Sequence, residues 1–82
     1  MSIAKVQSVF RDVFQRPDLV IKPDMTAKDV PEWDSFNHIN LILGLEMAFD
    51  ISFTTEEIAS MARIDDLIVI LRERGLDVAW DE

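Results

Sequence analysis

The chain predicts an all-α fold: a four-helix bundle with a long loop between helices I and II and a short helix III. Three observations carry this. Apolar residues recur at three- and four-residue spacing in separate stretches, all three prolines fall between the first two of them, and acids or hydroxyls stand where the helices should start. Helix I is read at residues 3–16, where Ile3, Val6, Val9, Phe10, Val13 and Phe14 make an amphipathic stripe with Ser2 as cap and Pro17 as stop. Loop 17–34 holds Pro23 and Pro31 and no sustained period, and Leu19, Val20, Ile21, Met25 and Val30 give it apolar anchors. Helix II is read at 35–49, starting at Asp34 or Ser35, both favoured N-cap types. Thr54 with Glu57 three residues on forms a capping box for helix III, residues 55–62. Helix IV, residues 64–74, carries Ile64, Leu67, Ile68 and Leu71 on one stripe, Asp65 and Asp66 in its first turn, and Gly75 as its stop. One domain is expected over residues 1–82.

Helix II is apolar on two sides. At ~100° per residue, Leu41, Ile42, Leu45 and Phe49 share one face, and Phe36, Ile39, Leu43 and Met47 share the opposite one. In so small a bundle the expectation is that one face is buried and the other is offered to a partner. The competing expectation is that the long loop covers the second face. His38 lies toward the core side in the first turn, where packing on the loop is favoured over contact with cargo. Gly44, in mid-helix, costs up to ~1 kcal/mol against Ala and allows close packing or extra room.

The bulk composition excludes several functions. A chain of 82 residues has a thin core and little room for a walled catalytic pocket. Sixteen acids against eight bases give a net charge of −8, which argues against nucleic acid and for partners with basic surfaces. With no cysteine and one histidine, neither a disulfide framework nor a metal cluster is expected, and any thiol chemistry must come from a cofactor. No signal-peptide pattern or membrane-length apolar run is present, so a soluble cytoplasmic protein without membrane insertion is expected. One histidine beside one serine, with no identifiable orienting acid or oxyanion site, makes no triad, so no catalytic residue is assigned. An EF-hand fails for want of its acidic loop, and a helix-turn-helix regulator fails on charge.

The segment Val30-Pro31-Glu32-Trp33-Asp34-Ser35-Phe36 places a serine hydroxyl at the head of helix II, where free backbone N–H groups and the positive end of the helix dipole suit a covalently attached phosphate. Here the chain resembles the acyl carrier protein family, the phosphopantetheine-binding carrier domains. The family's Asp-Ser-Leu reads Asp34-Ser35-Phe36, and the match continues through Leu41, Leu45, Glu46, Phe49 and Asp50 over nearly the whole chain. The resemblance implies a non-catalytic carrier whose Ser35 bears phosphopantetheine, added by a separate phosphopantetheinyl transferase, with Asp34 helping to position metal and coenzyme A phosphates in that enzyme. It implies an acyl or related thioester as cargo, delivered to an acyl-activating ligase, synthase or acyltransferase.

Phe36, Ile39, Asn40, Leu43 and Met47 are expected to form the docking surface. Carriers of fatty-acid synthesis have several acids along helix II, and Asn37 and Asn40 stand at two such places, leaving Asp34, Glu46 and Asp50. Docking should therefore depend less on charge, as in a specialised stand-alone carrier for a modified lipid, a polysaccharide substituent or a secondary metabolite; a primary fatty-acid carrier is the alternative. Two rivals stay open: a carrier of aminoacyl or hydroxyacyl groups, and a helical interaction module with no prosthetic group.

Overall fold

Four helices follow one another in the computed structural model, which describes residues 3–80: α1 (Ile3–Phe14), α2 (Ser35–Phe49), α3 (Thr55–Ala59) and α4 (Ile64–Glu73). The all-α four-helix class is as the sequence predicts. Three helix ends differ from expectation, each for a local reason. α1 stops at Phe14 and not at 16, because Gln15 turns to φ 55° and the Arg16 N–H closes onto the Arg11 carbonyl at 3.0 Å. Pro17 also disfavours helical backbone at Arg16. The proposed Ser2 cap lies outside the described residues.

α3 stops at Ala59 and not at 62. The N–H groups of Ala62 and Arg63 are taken by the Asp66 carboxylate of α4, at 3.1 and 2.9 Å, and Arg63 pairs with Thr26 of the loop in an isolated antiparallel bridge. α4 ends at Glu73, one residue early. Gly75 at φ 87° supplies the reversal, with the Leu76 N–H donating to the Leu71 carbonyl.

The core draws one stripe from each long helix: Val6 and Phe10 of α1, Leu41 and Leu45 of α2, and Ile64, Leu67, Ile68 and Leu71 of α4. Each such side chain contributes about 1.5–3 kcal/mol on full burial. The loop seals the bundle with Leu19, Ile21, Val30 and Trp33, all buried. Val20 is not an anchor: it is exposed while Leu19 and Ile21 on either side of it are buried, so successive side chains point to opposite sides. Polar ties hold the loop to the helices. The Ile21 N–H donates to Gln7 Oε1, Arg11 Nε to the Leu19 carbonyl, and the Ile64 and Asp65 N–H groups to the carbonyls of Met25 and Pro23.

α1 and α2 touch at Gly44. A Cβ there would lie 3.1 Å from Val9 Cγ1 and 3.3 Å from Val13 Cγ2, so the missing side chain allows close approach of the helices. The packing fixes the roll of α2 about its axis, and with it the direction of every side chain around Ser35.

Candidate functional site: the head of α2 and its cleft

Asp34 is the N-cap of α2. Its backbone is extended (φ −107°, ψ −176°), its Oδ1 accepts the Asn37 N–H at 2.8 Å, and its carbonyl accepts the His38 N–H at 2.8 Å. Capping therefore falls to Asp34 and not to Ser35. Ser35 is the first helical residue and is exposed. No hydrogen bond within the described residues occupies the N–H groups of Ser35 and Phe36, so the positive end of the helix stays open beside the hydroxyl.

The residues just before the cap are held tightly. The Glu32 carbonyl accepts the Asp34 N–H at 3.0 Å and Asn37 Nδ2 at 2.9 Å. Trp33 is buried, with its ring edge-on to Phe10 at 5.7 Å. Its indole N–H donates to His38 Nδ1 at 3.0 Å, and the two rings stack at 6.2 Å and 24°. With Nδ1 accepting, the proton belongs on Nε2, which lies 3.2 Å from the Ile58 carbonyl of α3 and donates to it. His38 packs on the loop as the sequence suggests, and it also ties the loop and α2 to α3. The role of Trp33 was not read from the sequence; a lone tryptophan in a polar loop immediately before the cap was the available signal.

α2, α3 and the loop enclose an open cleft of about 560 Å³ beside Ser35, walled by Trp33, His38, Ile39, Ile58 and Met61. α3 forms its far side while burying none of its own residues. Thr54 and Glu57 make the capping box: Thr54 Oγ1 accepts the Glu57 N–H at 3.1 Å, and Glu57 Oε1 accepts the Thr54 N–H at 2.9 Å. Arg74 ion-pairs with Glu57, donates to the Ser52 carbonyl and lies over the Phe53 ring, fastening α3 to the end of α4. The Glu57 carboxyl is held below its ordinary range, first by the Thr54 backbone hydrogen bond and also by Arg74, against an opposing desolvation effect.

The outer face of α2 is open. Phe36 is 76% exposed, Ile39 52%, Leu43 53% and Met47 85%, so the loop does not cover this face. The polar residues here are less free than the sequence suggests. Asn40 Nδ2 donates to Asn37 Oδ1 at 3.1 Å, which continues to the Glu32 carbonyl, and Glu46 Oε2 accepts the Phe53 N–H at 2.9 Å. Among the described residues no helix is long and apolar enough to cross a membrane, and no group of three His, Asp or Glu side chains could hold a metal ion.

The architecture is a four-helix bundle in which Asp34 caps α2 and the exposed Ser35 is its first residue. The chain is similar to the solution structure of a holo acyl carrier protein from Geobacter metallireducens, at a TM-score of 0.82 and 29% identity over 89% of this chain and 84% of that one. It is also similar to a putative acyl carrier protein from Mycobacterium tuberculosis, at a TM-score of 0.77 and 18% identity over 87% of this chain and 95% of that one. No family model and no curated protein sequence matches it. The chain has the acyl carrier protein fold, as the Asp34-Ser35-Phe36 segment implies, and these neighbours support an acyl carrier role in general terms.

Proposed function

We propose that the chain is a non-catalytic carrier bearing phosphopantetheine on the Ser35 oxygen, and that it presents acyl thioesters to partner enzymes in the cytoplasm. The observation that carries this reading is the division of labour at the head of α2. Asp34 takes the cap, which leaves the Ser35 hydroxyl exposed beside two unused N–H groups. The site fits the group: those N–H groups and the helix dipole would face the phosphate, and the cleft opens next to the same serine. When bound, the arm supplies the thiol that a cysteine-free chain lacks. Asp34 would help position metal and coenzyme A phosphates in the transferase. Phe36, Ile39, Asn40, Leu43 and Met47 would meet a ligase, synthase or acyltransferase of lipid, polysaccharide-modification or secondary-metabolite synthesis.

Incubation with a broad-specificity phosphopantetheinyl transferase, coenzyme A and magnesium should add one arm, seen by intact mass, and Ser35→Ala should add none. Arm attachment at Ser52 or Ser60 would overturn the assignment. Protein that stays unmodified with several transferases would favour the interaction module.

A further inference from the structure

We infer that His38 is a positioning residue for arm attachment: through Trp33 it holds the turn that presents Asp34 and Ser35 to the transferase, and it does so only in its neutral form. The inference deepens the reading of Ser35 as the attachment point and rests on it. The geometry starts at Trp33, two residues before Ser35. Its ring is buried against Phe10 and Phe14 of α1, with centroids 5.7 and 6.1 Å away, so its indole N–H needs an acceptor inside the protein. His38 Nδ1, one turn into α2, is that acceptor at 3.0 Å. Asp34 and Ser35 lie in sequence between the two ends of this bridge, and both are exposed. The buried stripe of α2 fixes one side of the pair, and the bridge to a ring packed on α1 fixes the other.

Attachment asks for such a hold. The Ser35 oxygen forms a bond to the pantetheine-side phosphorus of coenzyme A, the pyrophosphate P–O bond breaks, adenosine bisphosphate leaves, and the hydroxyl proton passes to a base of the transferase. The oxygen must stand in line with the breaking bond while the Asp34 carboxylate meets the metal, and a misplacement of about 1 Å can cost on the order of 100-fold.

The bridge depends on protonation. His38 Nε2 already carries the proton donated to the Ile58 carbonyl, so a second proton goes to Nδ1, where it would face the indole N–H with no acceptor between them. The bridge is present above the histidine range and lost as the pH falls through it. Other charged groups nearby are engaged elsewhere. Asp34, the other titratable side chain lining the cleft, accepts the Asn37 N–H; the loop and α3 present Trp33, Ile58 and Ala59, which do not titrate; and the Glu57 carboxylate is held by the Thr54 N–H and Arg74.

The test measures kcat/KM for arm attachment with one transferase, coenzyme A and magnesium at about pH 7.5 and about pH 5.5, on either side of the histidine midpoint. At the higher pH, His38→Leu and Trp33→Phe should each lose about tenfold, as expected when a buried donor or acceptor loses its partner. The double variant should lose no more than either alone, because both remove the same bond. His38→Gln, whose amide can accept from the indole and donate to Ile58 at every pH, should restore the rate. The ratio of wild type to His38→Gln cancels the transferase's own pH dependence and should fall about tenfold on acidification. Hydrogen exchange of the Trp33 indole and of the Trp33 and Asp34 backbone N–H groups, corrected for intrinsic rates, should lose protection in the same variants and the same window.

A ratio that stays flat with pH overturns the inference, and so does unchanged exchange protection. These two readouts decide the matter even if the leucine variant fails to fold. Equal modification of all variants overturns the role of His38 alone, whereas a wild type that no transferase modifies overturns the attachment reading and this role with it.

Discussion

α2 and α3 face each other across the cleft and are held by opposite means. α2 sinks Leu41, Ile42, Leu45 and Phe49 into the bundle, whereas α3 buries none of its five residues. A helix that short does not persist on its own. It is kept by a capping box, the Arg74–Glu57 pair, the His38 contact to the Ile58 carbonyl and the half-buried Ile58 side chain packed on the core. One wall is thus set by the core and the other mostly by surface polar bonds. Local opening of α3 should therefore cost less than opening of α2, whose buried stripe leaves the bundle only on unfolding. Under the proposed attachment at Ser35, this asymmetry would keep the serine fixed while the far wall yields to cargo.

The strongest way to break the comparison is truncation on each side. Leu45→Ala, at a fully buried position, should cost about 2–5 kcal/mol, a large share of the stability of a domain this size. Ile58→Ala on α3 and Leu43→Ala on the open face of α2 should each cost less than about 1 kcal/mol, in keeping with partly exposed sites. Urea denaturation measures all three. Equal losses at Leu43 and Leu45 would mean that the inner and outer faces of α2 are misassigned, and a large loss at Ile58 would remove the contrast between the helices.

Much of this asymmetry was legible in the sequence because apolar spacing and cap residues are local signals. The boundaries of α2, both its faces, the Thr54–Glu57 box and the Gly75 stop follow from residues within a few positions of one another. Asp34 and Ser35 were equally good caps by residue type, and only backbone geometry assigns the role to Asp34. The remainder depends on pairing across the chain. Residues 60–62 read as helical by pattern, but the Ala62 N–H is claimed by Asp66 of the next helix, and Arg63 beside it is bridged to Thr26, thirty-seven positions away. Asn37 and Asn40 read as missing acids, yet Asn37 donates to the Glu32 carbonyl, which an aspartate could not do. Trp33 and His38 were invisible as a pair because nothing in a pattern of apolar residues says which polar atoms will meet.

Docking tests the outer face of α2 and should show a smaller effect than core truncation. With Phe36, Ile39, Leu43 and Met47 exposed, binding to a dedicated partner should fall only modestly as salt rises, because screening acts on exposed charges with a Debye length of about 8–10 Å near physiological strength. Met47→Glu or Leu43→Glu should weaken binding roughly tenfold, as expected for one interface anchor of about 1.4 kcal/mol. Glu46→Gln should do less. Asn40→Glu is the cleaner restoration of an acid, since Asn37→Asp would also forfeit the bond to Glu32. Binding constants across a salt series decide it: a steep salt dependence with little response to the apolar-to-acid changes would make charge the main determinant.

The smallest effect concerns α3 alone and comes from Glu57. Its carboxyl titrates below its ordinary range because the folded protein stabilises the ionised form, chiefly through the Thr54 N–H and then through Arg74. The unfolded segment therefore binds a proton more readily than the folded one. The contribution is fully present above the ordinary carboxylate value and is lost as the pH falls through the lowered value of the folded state. Acidification across that window should lower hydrogen-exchange protection in α3 before α2 or α4 responds, since the long helices are held by apolar burial. Glu57→Gln should flatten this pH dependence and leave α3 less protected at neutral pH, with Arg74 still bound to the Ser52 carbonyl. If α2 and α3 lose protection together at every pH, the two walls of the cleft form one cooperative unit, and the division between a fixed and a yielding wall does not hold.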